Sequence, residues 1–253
     1  HNFSLLHDDI EDQSVSRRNR PTLWTVVDQA QAINTGDGMF ILGRNALLRL
    51  DRYGVSVQNV LEAIKRLDEA CISLVRGQYL DITFETKDDV SIDEYIQMAL
   101  GKTAAMFAAP LSIGAVIADA NAPTIDSLHR AGLNIGISFQ MIDDVLGIWG
   151  DPAITGKPVG DDIRSKKMTY PVIMAFQAGD EDLFSIYKKE QFSDDDVEYI
   201  STLIEKTGAK ELTELRAKEE NLLALKELDE IGLERNMLEQ FQSFAEAAVG
   251  RTT

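Results

Sequence analysis

Apolar positions recur along this chain at spacings of three and four residues, and no stretch alternates with period two for long enough to form a strand. Residues 1 to about 12 read as a helix that begins His1-Asn2-Phe3-Ser4-Leu5-Leu6 and ends in acids. The polar, basic stretch 13–22 closes on the breaker Arg20-Pro21. A second helix starts near Leu23, loosens at Asn34-Thr35-Gly36-Asp37-Gly38, and resumes at Met39 to reach about Leu50. Residues 56–85 carry Val57, Val60, Leu61, Ile64 and Leu67 on one helical spacing, continued by Ile72 and Val75. Ser91-Ile92-Asp93-Glu94 has the form of a capping box and opens a helix that runs through Ala104–Ala109 to about Ala118. That helix is apolar nearly all round, which places it at the centre of a fold.

A helix from Pro123 to roughly Trp149 follows, then a glycine-, proline- and aspartate-rich loop at 150–161. Further helices are predicted at 162–178, 180–190, 194–207, 209–229 and 233–248. Ser193 followed by Asp194, Asp195 and Asp196 is an N-cap with acids in the first turn, a structural feature and not a metal site. The fold class expected is all-α, a single-domain bundle of about ten or more helices.

Composition narrows the function. The 253 residues are 44% hydrophobic, enough for a core, with only 6 prolines and 17 glycines to interrupt long helices. A formal net charge of −17 argues against nucleic acid and against a basic membrane-surface helix. The single cysteine, Cys71, excludes an internal disulfide and reads as a buried, inert thiol in a cytoplasmic protein. No unbroken apolar run of ~18 residues is present, so no membrane span is expected, and no signal peptide is visible. The opening residues read as the middle of a helix, without methionine or cap, so N-terminal helices are expected to be missing.

Two acid clusters carry candidate chemistry. In Asp8-Asp9-Ile10-Glu11-Asp12, Asp8 and Asp12 are four apart and share a helix face. Like charges at that spacing repel unless a cation sits between them, and magnesium takes one or two carboxylates plus substrate phosphate oxygens. The plain alternative is a solvated helix end. Asp143-Asp144, after Phe139-Gln140-Met141-Ile142, ends a second apolar helix. Arg17 and Arg18 follow the first cluster; Lys157, Arg164, Lys166 and Lys167 follow the second. Lys102 interrupts the apolar helix, where it either snorkels or reaches an anion site. Acids that hold divalent cations, ringed by bases, suit a diphosphate, and the apolar helices between them suit its tail.

These residues resemble the trans-prenyl diphosphate synthase family. His1 to Asp12 with Arg17-Arg18 and Arg20-Pro21-Thr22 resembles its first aspartate-rich motif. Phe139 to Asp144, Gly150-Asp151-Pro152 and Thr155-Gly156-Lys157-Pro158 resemble its second, and Lys102-Thr103 and Gly77-Gln78 match smaller signatures. The likeness is close over residues 1 to about 172. It implies helices around a central cavity and, from relatives, a homodimer. It implies that Asp8 and Asp12 hold two magnesium ions with Asp9 in support, and that Asp143 holds a third with Asp144 nearby. Arg17, Lys102 and Lys157 would grip an allylic diphosphate and Lys167 would line the same mouth; Arg18 and His1 would contact isopentenyl diphosphate. Thr103 and Gln140 lie where the family stabilises a carbocation. The implied reaction is ionisation, condensation and elimination, giving a short-chain product.

Two departures from the family stand out. The second motif's third aspartate is replaced by Gly147, and a Gly-Lys-x-x-Arg segment upstream of the first motif has no counterpart here. Product length in this family is set on the helix before the first motif. Phe3 lies five residues before Asp8, about 7.5 Å along the axis, and Ser4 beside it is small. An aromatic there resembles synthases that stop at twenty or fifteen carbons, twenty being favoured; a plain core role for Phe3 is the alternative. Two rival functions remain at this point. A class I terpene cyclase shares the first motif, but the residues after Asp143, Gly147 and Asp151, do not match its second. A non-catalytic subunit of a heteromeric synthase is permitted by Gly147, although it would have no need of a mutually repelling acid set.

Overall fold

The computed structural model describes residues 1–87, 89–152 and 158–249. Among them the regular elements are helices, except for one hairpin of two-residue strands, Ser16–Arg17 and Arg20–Pro21. Arg18 and Asn19 turn that hairpin, both in the left-handed region (φ 52° and 59°). Two left-handed residues in succession give the turn whose twist matches the strands. It is too short to leave a period-two signal.

Helix α1 (Asn2–Glu11) packs on α3 (Gln29–Leu48), with the short α2 (Leu23–Val27) between them in sequence. The expected loosening at 34–38 does not occur: α3 is continuous there, and the break falls earlier, at Asp28 (φ 100°), whose carboxylate caps α3 through the Gln31 N–H at 2.9 Å. Gly36 is small because α1 crosses over it; a Cβ would fall 2.2 Å from His7 Nε2. The glycine pattern read as a loop is a close helix contact instead.

Helix α4 (Val57–Phe84), capped by Ser56, crosses the stretch predicted to lie at the centre. That stretch is α5 (Ile92–Ala99), a π-helical turn (Leu100–Ala104), and α6 (Ala105–Ile117). The capping box is present in full: the Ser91 hydroxyl accepts from Glu94 N–H at 3.2 Å, and the Glu94 carboxylate accepts from Ser91 N–H at 3.0 Å. Ile92–Ile117 is long and apolar enough to cross a membrane by length and composition, an 18-residue window within it reaching a mean hydropathy of 1.5. Here they pack between α4 and α7 (Ala122–Trp149). Lys102 interrupts the run, which is why no unbroken apolar segment was apparent in the sequence.

The predicted helix 162–178 is two helices, α8 (Asp161–Arg164) and α9 (Tyr170–Gln177), separated at 165–169 where Lys166 adopts φ 52°. Pro171 sits at the start of α9, where its missing N–H costs nothing. Helices α10 (Glu181–Tyr187), α11 (Asp194–Lys206), α12 (Ala209–Glu230) and α13 (Arg235–Val249) complete the chain. Ser193 caps α11 in a second capping box with Asp196, so that acid run is a helix start, as read from sequence. Helix α7 packs along both α12 and α6. Fully buried Tyr95 on α5, with Ile135, Met141, Ile142 and Ile148 on α7 and Ile200 and Ile204 on α11, mark the core. Cys71 is free and buried in α4.

Candidate active site

The acid-bearing ends of α1 and α7 open on one cavity of about 880 Å³, lined by both Asp8 and Asp143. Helices α4, the π turn and α6 contribute Gln78, Lys102, Thr103, Met106 and Phe107 to the same wall. His1, Phe3, Ser4, Arg18 and Gln140 also line it. The volume falls within the ~300–1,000 Å³ usual for small-molecule sites.

The placement of Lys102 follows from one helix crossing. A Cβ on Gly77 would fall 2.0 Å from Lys102 N, so α4 and the π turn touch backbone to backbone. A π turn inserts a residue into the helical ladder and redirects the side chains it carries, here Lys102 and Thr103. Lys102 Nζ lies 2.5 Å from Asp81 Oδ2 and 3.3 Å from Asp8 Oδ1. Burial alone would lower the Lys102 pKa, but Asp81 and Asp8 outweigh it and hold the ammonium charged. Lys102 therefore reaches an acid site and does not snorkel outwards. Asp81 was not picked out from the sequence; it lies one turn beyond Gly77-Gln78, on the face that those residues bring to the site.

The acids of α1 are partnered by the protein's own cations. Arg17 forks across two of them, with Nε donating to Asp9 at 2.6 Å and Nη2 to Asp8 at 2.8 Å. Lys167 donates to Asp12 at 3.2 Å. Burial pushes the Asp8 carboxyl up, but Lys102, Arg17 and Lys167 together bring it below the ordinary carboxylate value. Asp9, only 4% exposed, goes the other way, because burial exceeds what Arg17 returns. The repulsion between Asp8 and Asp12 inferred from their spacing is thus offset by arginine and lysine.

Asp143 and Asp144 are adjacent but do different things. Asp143 lines the cavity. Asp144, expected to work beside it, is turned into the core, 4% exposed. Its Oδ2 accepts from Tyr95 Oη at 2.7 Å and from Tyr170 N–H at 2.8 Å; its Oδ1 accepts from Gln140 Nε2 at 2.8 Å. A buried carboxylate needs such donors. Burial still exceeds them and raises the Asp144 pKa to about 7. Neighbouring residues on a helix point some 100° apart, which lets these two aspartates meet different surroundings.

Thr103 and Gln140 are also joined: Thr103 Oγ1 donates to Gln140 Oε1 at 2.5 Å. Asp144 fixes the Gln140 amide, and the amide oxygen takes the Thr103 hydrogen. What Thr103 presents to anything else is then its lone pairs. Asp9, Asp12, Arg17, Asp144 and Lys167 do not line the cavity; Lys157 lies outside the described residues. Among the described residues no three histidine, cysteine or carboxylate side chains form a ready-made ion cage.

A polyprenyl synthetase family model matches residues 1–204. The chain is 37% identical over 258 residues to a (2E,6E)-farnesyl diphosphate synthase of Mycobacterium bovis, covering 99% of this chain and 70% of that protein. It is 40% identical over 212 residues to a geranylgeranyl diphosphate synthase of Mycobacterium tuberculosis, covering 82% of this chain and 59% of that one. A crystal structure of geranylgeranyl pyrophosphate synthase from Corynebacterium glutamicum, complexed with isoprenyl diphosphate and magnesium, superposes with a TM-score of 0.89 at 30% identity, over 98% of this chain and 75% of that one. On these matches and on the helical cavity that carries both acid motifs, the chain belongs to the polyprenyl synthetase family.

Proposed function

We propose that this protein is a short-chain prenyl diphosphate synthase that joins isopentenyl diphosphate to an allylic diphosphate. The observation that carries the reading is the placement of Asp8 and Asp143 on one cavity whose remaining wall is largely apolar, including Leu74, Met106, Phe107 and Leu111. The relatives named above act in the same class, and a solved relative binds isoprenyl diphosphate with magnesium. The residues fit magnesium: Asp8 and Asp12 from the first motif and Asp143 from the second would hold it, and we put the number of ions at three. Bound there, magnesium supplies charge neutralisation for a departing diphosphate.

The chain's own residues account for the rest. Lys102, Arg17 and Lys167 lie against Asp8, Asp9 and Asp12, charged and within reach of the site where a diphosphate would dock. Cations already fixed in place stabilise a leaving anion without reorganising at the moment of bond cleavage. The carbon left behind is a carbocation, and Thr103 and Gln140 offer it oxygen lone pairs. The isopentenyl double bond attacks that carbon, and loss of a proton to the released diphosphate ends the cycle. The apolar wall keeps water from the cation. Arg18 and His1 serve isopentenyl diphosphate at the cavity's edge.

Phe3 lines the cavity and is backed by Phe40, their ring centroids 5.2 Å apart, so the floor is two aromatics deep. We place the product at twenty carbons, with fifteen as the alternative. Homodimerisation belongs to the same reading: exposed Ile41, Leu42 and Leu48 on α3, with Leu61 and Ile72 on the neighbouring α4, leave apolar surface that a second copy would cover. The free Cys71 thiol suits the cytoplasm. The test is incubation with magnesium, labelled isopentenyl diphosphate and each allylic primer in turn, with product length read by chromatography. Elongated diphosphates support the reading. A hydrocarbon released from farnesyl diphosphate alone would indicate a cyclase, and no turnover by the protein alone a non-catalytic subunit.

A further inference from the structure

Lys166 is one of the four bases that follow the second acid motif, yet it does not line the cavity. Its backbone stands at φ 52°, in the left-handed region that a long side chain seldom adopts. Such a conformation persists only where surrounding contacts impose it. Here the side chain supplies them. Lys166 Nζ donates to the carbonyl oxygen of Tyr187 at 3.3 Å and to that of Lys189. Both carbonyls lie at the C-terminal end of α10, where backbone oxygens lack helical partners and favour a cation. The same ammonium stands 5.1 Å from the centroid of the Phe192 ring.

The receiving end of this tie is firmly packed. Tyr187 lies between Phe176 of α9 and Phe192, at ring-centroid distances of 5.0 and 5.4 Å. Lys166 therefore joins the turn at 165–169 to an aromatic cluster that the next helix also enters. On the other side of the turn, the N–H groups of Lys166 and Lys167 donate to the carbonyls of Ile163 and Asp162, each at 2.9 Å, and Ile163 is fully buried. Arg164 adds an ion pair with Asp194 at the start of α11, 2.8 Å long. Lys167, the very next residue, sends its side chain to α1, where it donates to Asp12 at 3.2 Å.

We propose that Lys166 is a positioning residue. By clamping the left-handed turn to the end of α10, it fixes the backbone from which Lys167 reaches the first acid cluster. Lys166 itself touches no substrate and acts through Lys167. The inference rests on the function proposed above, in which Lys167 serves the diphosphate.

The test is a double-mutant cycle on the full chain, read as magnesium-dependent binding of inorganic pyrophosphate by calorimetry. Lys166→Met removes the ammonium and should weaken binding about 10-fold, less than the ~100-fold that a 1 Å displacement of a working group can cost. Lys166→Arg, which keeps a cation for the carbonyls and for Phe192, should bind as the wild type does; a loss as large as that of Lys166→Met would overturn the clamp. In a Lys167→Met background, Lys166→Met should cause no further loss. A lysine that only stabilised the fold would lower the melting temperature and leave binding by the folded protein unchanged. If Lys166→Met does not fold, Lys166→Gly, which suits the left-handed backbone and lacks the ammonium, replaces it in the cycle. Unaltered affinity in the folded variant overturns this inference and leaves the proposed function standing. An equal loss with and without Lys167 overturns the action through Lys167. Failure of the wild-type protein to bind pyrophosphate with magnesium overturns both.

Discussion

Asp8 and Asp144 show how environment divides the work of identical side chains. Asp8 faces the cavity among Lys102, Arg17 and Lys167 and is held below the ordinary carboxylate range after burial is overcome. Asp144 is buried on three donors with its pKa pushed up to about 7. Removing one donor leaves a buried acceptor short, so Tyr95→Phe should cost ~1–3 kcal/mol of stability, read by chemical denaturation. An unaltered midpoint would mean that the phenol does not hold Asp144. Phe3 makes a separate prediction about product. Phe3→Ala should lengthen the prenyl chain, because it removes the upper of two aromatics and leaves Phe40 as the floor. A product spectrum that does not change would assign Phe3 to the core alone. The acids were legible in the sequence because clustered like charge at an apolar helix end is a local pattern. That Asp144 turns inward was not, because its donors come from Tyr95 and Tyr170, on two other elements.

Among elements, the contact of α4 with the π turn matters most, because it delivers Lys102 and Thr103. Gly77→Ala would put a Cβ 2.0 Å from Lys102 N, and only backbone movement could relieve that. Overpacking of this kind costs ~1–3 kcal/mol, and more where backbone must shift. The variant should lose both thermal stability and activity; retention of both would remove the crossing as the device that sets Lys102. The capping box of α5 gives a pH signature. Its Glu94 is lowered from 4.5 to about 2 by Lys87 and by Ser91. A lowered folded-state value means the contribution is present above about 4.5 and lost as pH falls towards about 2. The stability gap between wild type and Glu94→Gln should therefore close on acidification across that window. A gap that stays constant would show that the charge is irrelevant to the cap. The Ser91 capping box, the Ser193 N-cap and most helix bounds were legible, since caps are local chemistry. The break at Asp28 and the gap at 165–169 were not, because both rest on non-glycine residues, Asp28 and Lys166, held at positive φ by surrounding structure. Gly36 misled for the converse reason: it serves a packing contact with His7, and a glycine signal read along the chain does not separate contact from turn.

At the scale of the molecule, a chain of net charge −17 concentrates its working cations where its acids are densest. Arg17, Lys102 and Lys167 each contact a carboxylate of the first cluster, which leaves positive charge poised beside the cavity. The all-helical class followed from the hydrophobic spacing. The cavity did not, because it forms where α1, α4, α6 and α7 fail to close on one another, and no single helix encodes that. Asp81 was missed for the same reason: an isolated acid gains meaning only once the crossing brings it to Lys102.

The most direct test of the shared site is a crystal structure of the full chain with manganese in place of magnesium and an unreactive allylic diphosphate, using the anomalous signal to locate the ions. The prediction is metal in the cavity at both Asp8 and Asp143, bridged by one diphosphate, with the tail directed towards Phe3. Metal at one acid cluster only, or a diphosphate bound outside the cavity, would contradict it.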